Sequence, residues 1–212
     1  VEGIPLLKTI GRVTAGLILL TWPGLAPAGG LEEAQAGLAA QRRGDHAGAV
    51  IKFTRAIDSG QLAPTNLALA HVNRGNSLGR LGKTSAAVQD LERAIELAPD
   101  HPAGYNSLAW LLATCPRGRY RNGARAVELA RVALKLGGRD WRPVHLDTLA
   151  AALAEAGSPA EAVAVQEEAL GLMKREAQPP EVLAGAGERL ESYRRGRAWR
   201  EETGSRAQPP GR

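Results

Sequence analysis

From residue 30 onward, small and apolar side chains return at helical spacing, and the clearest run is Gly82–Pro99. Within it Ala87, Leu91 and Ala94 stand four and three residues apart, which puts them on one face of a helix. The same spacing returns at Ala49, Phe53 and Ala56, at Ala126, Ala130 and Ala133, and at Ala162, Gln166 and Ala169. A small residue precedes each set: Gly37, Gly75, Ala109 and Ala150, by 12, 12, 17 and 12 positions. The pattern predicts a unit of two helices whose backbones cross closely at small residues. The units recur after 38, 39 and 36 residues, counted at Ala49, Ala87, Ala126 and Ala162.

Turn chemistry punctuates the same map. The stretches 59–66, 114–123 and 136–143 collect Gly, Pro, Asn and Asp and are expected to be connecting loops. Gly44, Gly82 and Gly157 fall between the two helices of a unit, where a positive φ costs glycine little. Pro99, Pro143 and Pro159 fall at helix ends or starts. After Pro179-Pro180, Leu183, Ala186, Leu190 and Tyr193 form an apolar stripe, with Glu188, Glu191 and Arg194 off it. That predicts an amphipathic closing helix with a polar outer face over 179–202.

This arrangement resembles the tetratricopeptide repeat, whose period is about 34 residues with Gly, Ala, a large residue, Ala and a closing Pro at set places. Residues 68–101 carry it best, with Gly75, Ala87, Leu91, Ala94 and Pro99. Departures are the missing closing Pro of the first unit, and Ala130 and Gln166 where a large residue belongs. The runs YNSLAWLLATCP, AVELA and LDTLAAALAEAG, with the ending RLESYRRGRAWREE, resemble a group of bacterial tetratricopeptide repeat proteins of the exported type. The resemblance implies a fold and no chemistry. The fold class expected is all-α, a right-handed superhelix of about four hairpins over 29–175, at about 30–63, 68–101, 102–140 and 143–175, plus the closing helix. A single hairpin cannot bury both its faces, so the units must stack. Residues 203–212 are expected to be disordered.

The first residues read differently. Lys8 and Arg12 precede an apolar run from Val13 to Trp22, then Pro23-Gly24 and the small-residue triplet Ala26-Pro27-Ala28. Charged, apolar, small is the order of a secretory signal peptide, expected over 1–28. The apolar run is well short of the roughly 20 residues that span a bilayer. Export to the periplasm or beyond is therefore expected, without a transmembrane span in the mature chain. The alternative is an uncleaved N-terminal membrane anchor or helix on an adaptor.

Composition narrows the chemistry. The chain has 212 residues, 44% hydrophobic and only 4% aromatic, which suits close-packed helices and not a sandwich or barrel. One Cys excludes a disulfide framework. The net charge of +5 is mild and demands no nucleic acid, and export disfavours it further. Gly82-Lys83-Thr84 ends like a phosphate loop, but Ser77 stands where the first Gly is required and no strand precedes it. None of His46, His71, His101 and His145 pairs with another at helical spacing, so no metal face is expected. Cys115 and His101 are separated by about 21 Å of helix and cannot act together. Neither catalytic residues, metal nor cofactor is expected.

Two surfaces remain. Residues 117–142 carry a net +6, with Arg117, Arg119, Arg121 and Arg125 around Tyr120. This basic loop either meets an acidic protein, an anionic lipid headgroup or, disfavoured by export, nucleic acid, or is a solvated loop whose Arg side chains cap helix C-termini. The second surface follows from the resemblance, which implies that the first helix of each unit lines a concave side. Its inward positions are then Gln35, Arg42, Asn73, Asn76, Arg80, Asn106, Trp110, Asp147, Thr148 and Glu155. Of these Asn73, Asn76, Arg80, Asn106, Trp110 and Asp147 suit a peptide. Amides donate and accept along a backbone, Trp anchors, and Arg80 pairs a carboxylate. The lysine-rich clamp of chaperone-type repeats is not matched. The function expected is a non-enzymatic scaffold holding a protein or peptide segment in the groove. The alternative is a self-associating solenoid without a peptide ligand.

Overall fold

The computed structural model describes residues 29–201, so the signal peptide expected at 1–28 and the tail at 203–212 lie outside it. Among the described residues there are nine α-helices and no strand. They run α1 Gly30–Arg42, α2 His46–Asp58, α3 Pro64–Arg80, α4 Thr84–Leu97, α5 Pro102–Thr114, α6 Gly123–Leu136, α7 Arg142–Glu155, α8 Pro159–Arg175 and α9 Pro180–Arg194. Short 3-10 turns at Gly118–Tyr120 and Arg139–Trp141 sit in the two longer connections. The first eight helices pair as α1–α2, α3–α4, α5–α6 and α7–α8, each hairpin packs on the next, and α9 closes the stack against α8. The first helices also touch along the stack, α3 on α5 and α5 on α7. Among the described residues the molecule is an all-α helical solenoid of stacked hairpins.

The spacing that marks the second helices marks their buried face. Ala49, Phe53 and Ala56, then Ala87, Leu91 and Ala94, then Ala126, Ala130 and Ala133 are all within 2% of complete burial. The small residues opposite explain how the helices approach. A Cβ on Gly37 would stand 2.8 Å from the Phe53 ring, and one on Gly75 would stand 3.0 Å from Leu91 Cγ. In these two hairpins a large side chain fills the space a missing one leaves. The core from α3 to α9 is continuous, from Ala68 and Val72 through Leu108, Leu112, Leu149 and Leu153 to Tyr193.

Five of the nine described helices, α1, α3, α7, α8 and α9, end by one device. At Gly44, Gly82, Gly157, Ala177 and Gly196 φ is positive. At each, the next residue's N–H reaches back to a carbonyl five positions earlier: Asp45 to Ala40, Lys83 to Leu78, Ser158 to Leu153, Gln178 to Met173, and Arg197 to Ser192. That double turn satisfies the last carbonyls of a helix. Helix starts use side chains where the turn allows: Asp45 accepts from Gly48 N, and Asn122 from Arg125 N.

Two boundaries differ from the pattern-based expectation. The stretch 59–66 is not all loop, because Pro64 opens α3 four residues ahead of Ala68. Proline's fixed φ suits the first helical position, so the residue that reads as loop starts the helix. The closing helix ends at Arg194, not near 202. Gly196, at φ 68°, turns the chain, and residues 197–201 run back along the stack without helical bonding.

Candidate functional site

The first helices of the second, third and fourth hairpins face a cleft of about 460 Å³, with Gln41 of α1 at one end. Asn76 and Arg80 come from α3, Asn106, Ser107 and Trp110 from α5, Val144, Asp147 and Thr148 from α7, and Arg189 from α9. Helical spacing explains the grouping: Asn76 and Arg80 are one turn apart on α3, as Asn106 and Trp110 are on α5.

Five of the six candidates meet there. Asn76 is exposed and donates from Nδ2 to Ser107 Oγ at 3.3 Å, bridging α3 and α5. Asn106 lines the cleft and its Oδ1 is buried without a hydrogen-bond partner. Trp110 is half-buried, packed against the core on one side, with the Arg189 guanidinium 5.5 Å from its ring centre. Arg80 projects from the end of α3 and is half exposed.

Asp147 also borders the cleft, but its oxygens are spent. Arg189 grips it bidentately at 2.9 and 2.8 Å, and Gln166 Nε2 donates to it at 2.6 Å. It is 8% exposed and serves to hold α9 in place. Asn73 does not line the cleft. Its Nδ2 donates to Leu69 O one turn back on α3, while its own carbonyl accepts from Gln41 Nε2. Short amide side chains in a helix readily take this intrahelical bond, and here it removes Asn73 from the groove.

The basic loop divides. Arg121 is half-buried, donates to Glu155 Oε1 at 2.9 Å and caps α5 through Cys115 O at 3.0 Å. Arg125 pairs with Glu92 at 2.8 Å. Arg119 lies over the Tyr120 ring, 4.9 Å from its centre, and both Arg117 and Arg119 are exposed. Half of the cationic cluster is therefore committed to the fold.

One groove residue left no sign in the helical pattern. Glu201, delivered by the returning segment, sits in the cleft. Arg80 Nη1 donates to its Oε2 at 2.6 Å and Trp110 Nε1 to its Oε1 at 3.1 Å. Its backbone N–H donates to Thr114 O at 2.9 Å. The segment before it is anchored: Arg200 pairs with Glu155 at 2.6 Å, Trp199 packs on the core, and Arg197 O accepts from Ser192 Oγ. The signals that mark this return are Gly196, a helix stop, and Trp199, an apolar residue beyond it.

A separate polar cluster lies between α2, α3 and α4. Arg74 donates twice to Asp90 at 2.7 Å and once to Thr54, and His71 Nδ1 lies 2.9 Å from Asp90. Burial alone would raise the Asp90 carboxyl, but the bonds from Arg74 and His71 outweigh it and hold it below the usual range. Every acceptor is used, so the cluster is structural. Among the described residues no group of His, Cys, Asp and Glu is arranged to hold a metal ion, and no helix is long and apolar enough to cross a membrane.

No curated protein matches the chain. The tetratricopeptide repeat family model matches residues 68–101, which span most of α3, all of α4 and the following turn, so the hairpin that brings Asn76 and Arg80 to the cleft is a tetratricopeptide repeat.

Proposed function

We propose that the protein is a non-enzymatic scaffold that binds an extended segment of a partner protein in the cleft between α3, α5 and α7. Tetratricopeptide repeats generally mediate protein–protein interaction, and their proteins are typically scaffolds without catalysis. The observation that carries the reading for this chain is the content of the cleft. A non-helical stretch of polypeptide already lies there, bonded through its backbone to Thr114 and through its side chain to Arg80 and Trp110. A surface that pairs with one such stretch offers donors and acceptors at the right places for another. The order of charged, apolar and small residues over 1–28 supports binding in the cell envelope, after export.

The test is crosslinked capture from intact cells with the wild type and an Asn76→Ala, Asn106→Ala double variant of equal thermal stability. Partners recovered by the wild type and lost by the variant are expected. Recovery of the same proteins by both overturns the groove reading and moves attention to the exposed Arg117 and Arg119.

A further inference from the structure

We propose that Glu201 holds, within the chain, the place of a partner's carboxylate, so that the groove's ligand is an extended acidic segment whose side-chain carboxylate displaces Glu201 from Arg80 and Trp110. This rests on the groove reading and adds the chemistry of the ligand.

The argument starts from charge. Of the ionisable side chains lining the cleft, Asp147 and Arg189 neutralise each other in a bidentate pair. Among the described residues Arg80 is answered by Glu201 alone. With Glu201 withdrawn, the corner would present one uncompensated guanidinium beside an indole N–H. His46, which also lines the cleft, stays neutral more readily because burial and the charge of Arg80 both lower its pKa, although Asp45 acts the other way. A carboxylate restores both bonds at once, both charge-assisted and one of them an ion pair. An amide in the same place would supply an acceptor but no charge.

Geometry sets the rest of the ligand. Glu201 reaches the corner from a non-helical segment whose N–H donates to Thr114 O. Two residues before it stands Trp199, packed on the core. Trp199 is held by the core, whereas the Glu201 side chain is held by the Trp110 N–H and by an ion pair whose Arg80 partner is 51% accessible. Exposed ion pairs are weak, so this residue is the part of the segment that a competitor displaces most readily. The tether gives Glu201 an effective concentration in the millimolar range, which raises the threshold a partner must exceed.

The experiment uses the full chain and two synthetic peptides, acetyl-Ala-Trp-Arg-Glu-Glu-amide and its Gln-Gln counterpart, titrated by fluorescence anisotropy. Four proteins are compared: wild type, Glu201→Gln, Arg80→Ala, and the Glu201→Gln, Arg80→Ala double variant. Arg80 is half exposed and Glu201 lies outside the helices, and matched melting curves verify that the variants fold. The expected result is that the acidic peptide binds Glu201→Gln about 10-fold more tightly than wild type. The amide peptide gains nothing, and adding Arg80→Ala removes the gain. Equal binding of the acidic peptide to wild type and Glu201→Gln, equal binding of both peptides, or no binding at all overturns the proposal. If these fail while the Asn76, Asn106 variant still loses its captured partners, the groove reading stands and only the acidic ligand is wrong.

Discussion

Gln166 donates from Nε2 to Asp147 Oδ1 at 2.6 Å, from the helix position at which two sister hairpins hold Phe53 and Leu91. The same Nε2 donates to Ala186 O of α9. A polar residue thus replaces the apolar one where the stack meets its last helix, and Arg189 completes the join. Asp147→Ala would leave the Arg189 guanidinium unpaired in a mostly buried place and take one of the two bonds from Gln166 Nε2, which keeps Ala186 O. Loss of one partner from a buried pair costs about 3 kcal/mol or more. The variant is expected to unfold at correspondingly lower urea, with hydrogen exchange rising first in α9. Uniform exchange across all hairpins would contradict this role for Asp147.

Gly37 and Gly187 both sit inside helices and should respond oppositely to alanine. Alanine gains about 1 kcal/mol over glycine in a helix interior. At Gly187 a Cβ meets nothing within 4 Å, so Gly187→Ala should stabilise by roughly that amount. At Gly37 it would stand 2.8 Å from the ring of Phe53, which is 1% exposed. Overpacking typically costs about 1–3 kcal/mol and outweighs the propensity gain. Thermal melts of the two variants should therefore move in opposite directions.

Ala177 is the one described non-glycine residue with positive φ, at 52°, and it ends α8 as glycines end α1, α3, α7 and α9. The left-handed conformation costs an L-residue about 1–2 kcal/mol, part of which glycine returns through its freer unfolded state. Ala177→Gly should raise stability by about 0.5–1 kcal/mol. A lower melting temperature would mean that the turn is held by something other than its backbone geometry.

Acid should weaken the fold in two stages. Burial lowers the pKa of His145, whose Nδ1 lacks a partner. His46 is lowered too, first by burial and then by Arg80, against Asp45. The unfolded chain then binds protons that the folded one refuses, so stability declines as pH falls below about 6.5. The Asp90 carboxyl is depressed in the fold, so its contribution is present above about pH 4 and is lost as pH falls further. Urea midpoints measured from pH 8 to pH 3 should show both declines. His145→Leu should flatten the upper one and leave the lower, and an unchanged upper slope would exclude His145 as a source.

The helix faces were legible because close backbone crossings demand small residues at fixed intervals. Ala49, Ala87, Ala126 and Ala162 therefore carry the architecture in their spacing. Turns were legible where geometry admits few residues, as at Gly44, Gly82 and Gly157. Asn76, Arg80, Asn106 and Trp110 reach one cleft because a helical face fixes what lies together on it. What spacing cannot carry is competition for a side chain. Asn73 shares that face, yet its own helix takes its amide. Gln166 reads as a flaw in an apolar pattern until the partner, Asp147, is in view. The return of residues 197–201 depends on contacts with Thr114 and Glu155, far away in the chain, and no local periodicity encodes it.

Arg189 binds Asp147 bidentately and places its guanidinium over the Trp110 ring. Docking of the terminal helix and the shape of the ligand surface thus draw on one guanidinium. Thermodynamic linkage makes the two reciprocal: a ligand that needs Trp110 in this position binds only the capped form and holds the cap closed by RT ln(1 + [L]/Kd). Fraying of α9 then becomes a readout of occupancy, and any change that loosens the end of the solenoid lowers affinity without touching a ligand contact.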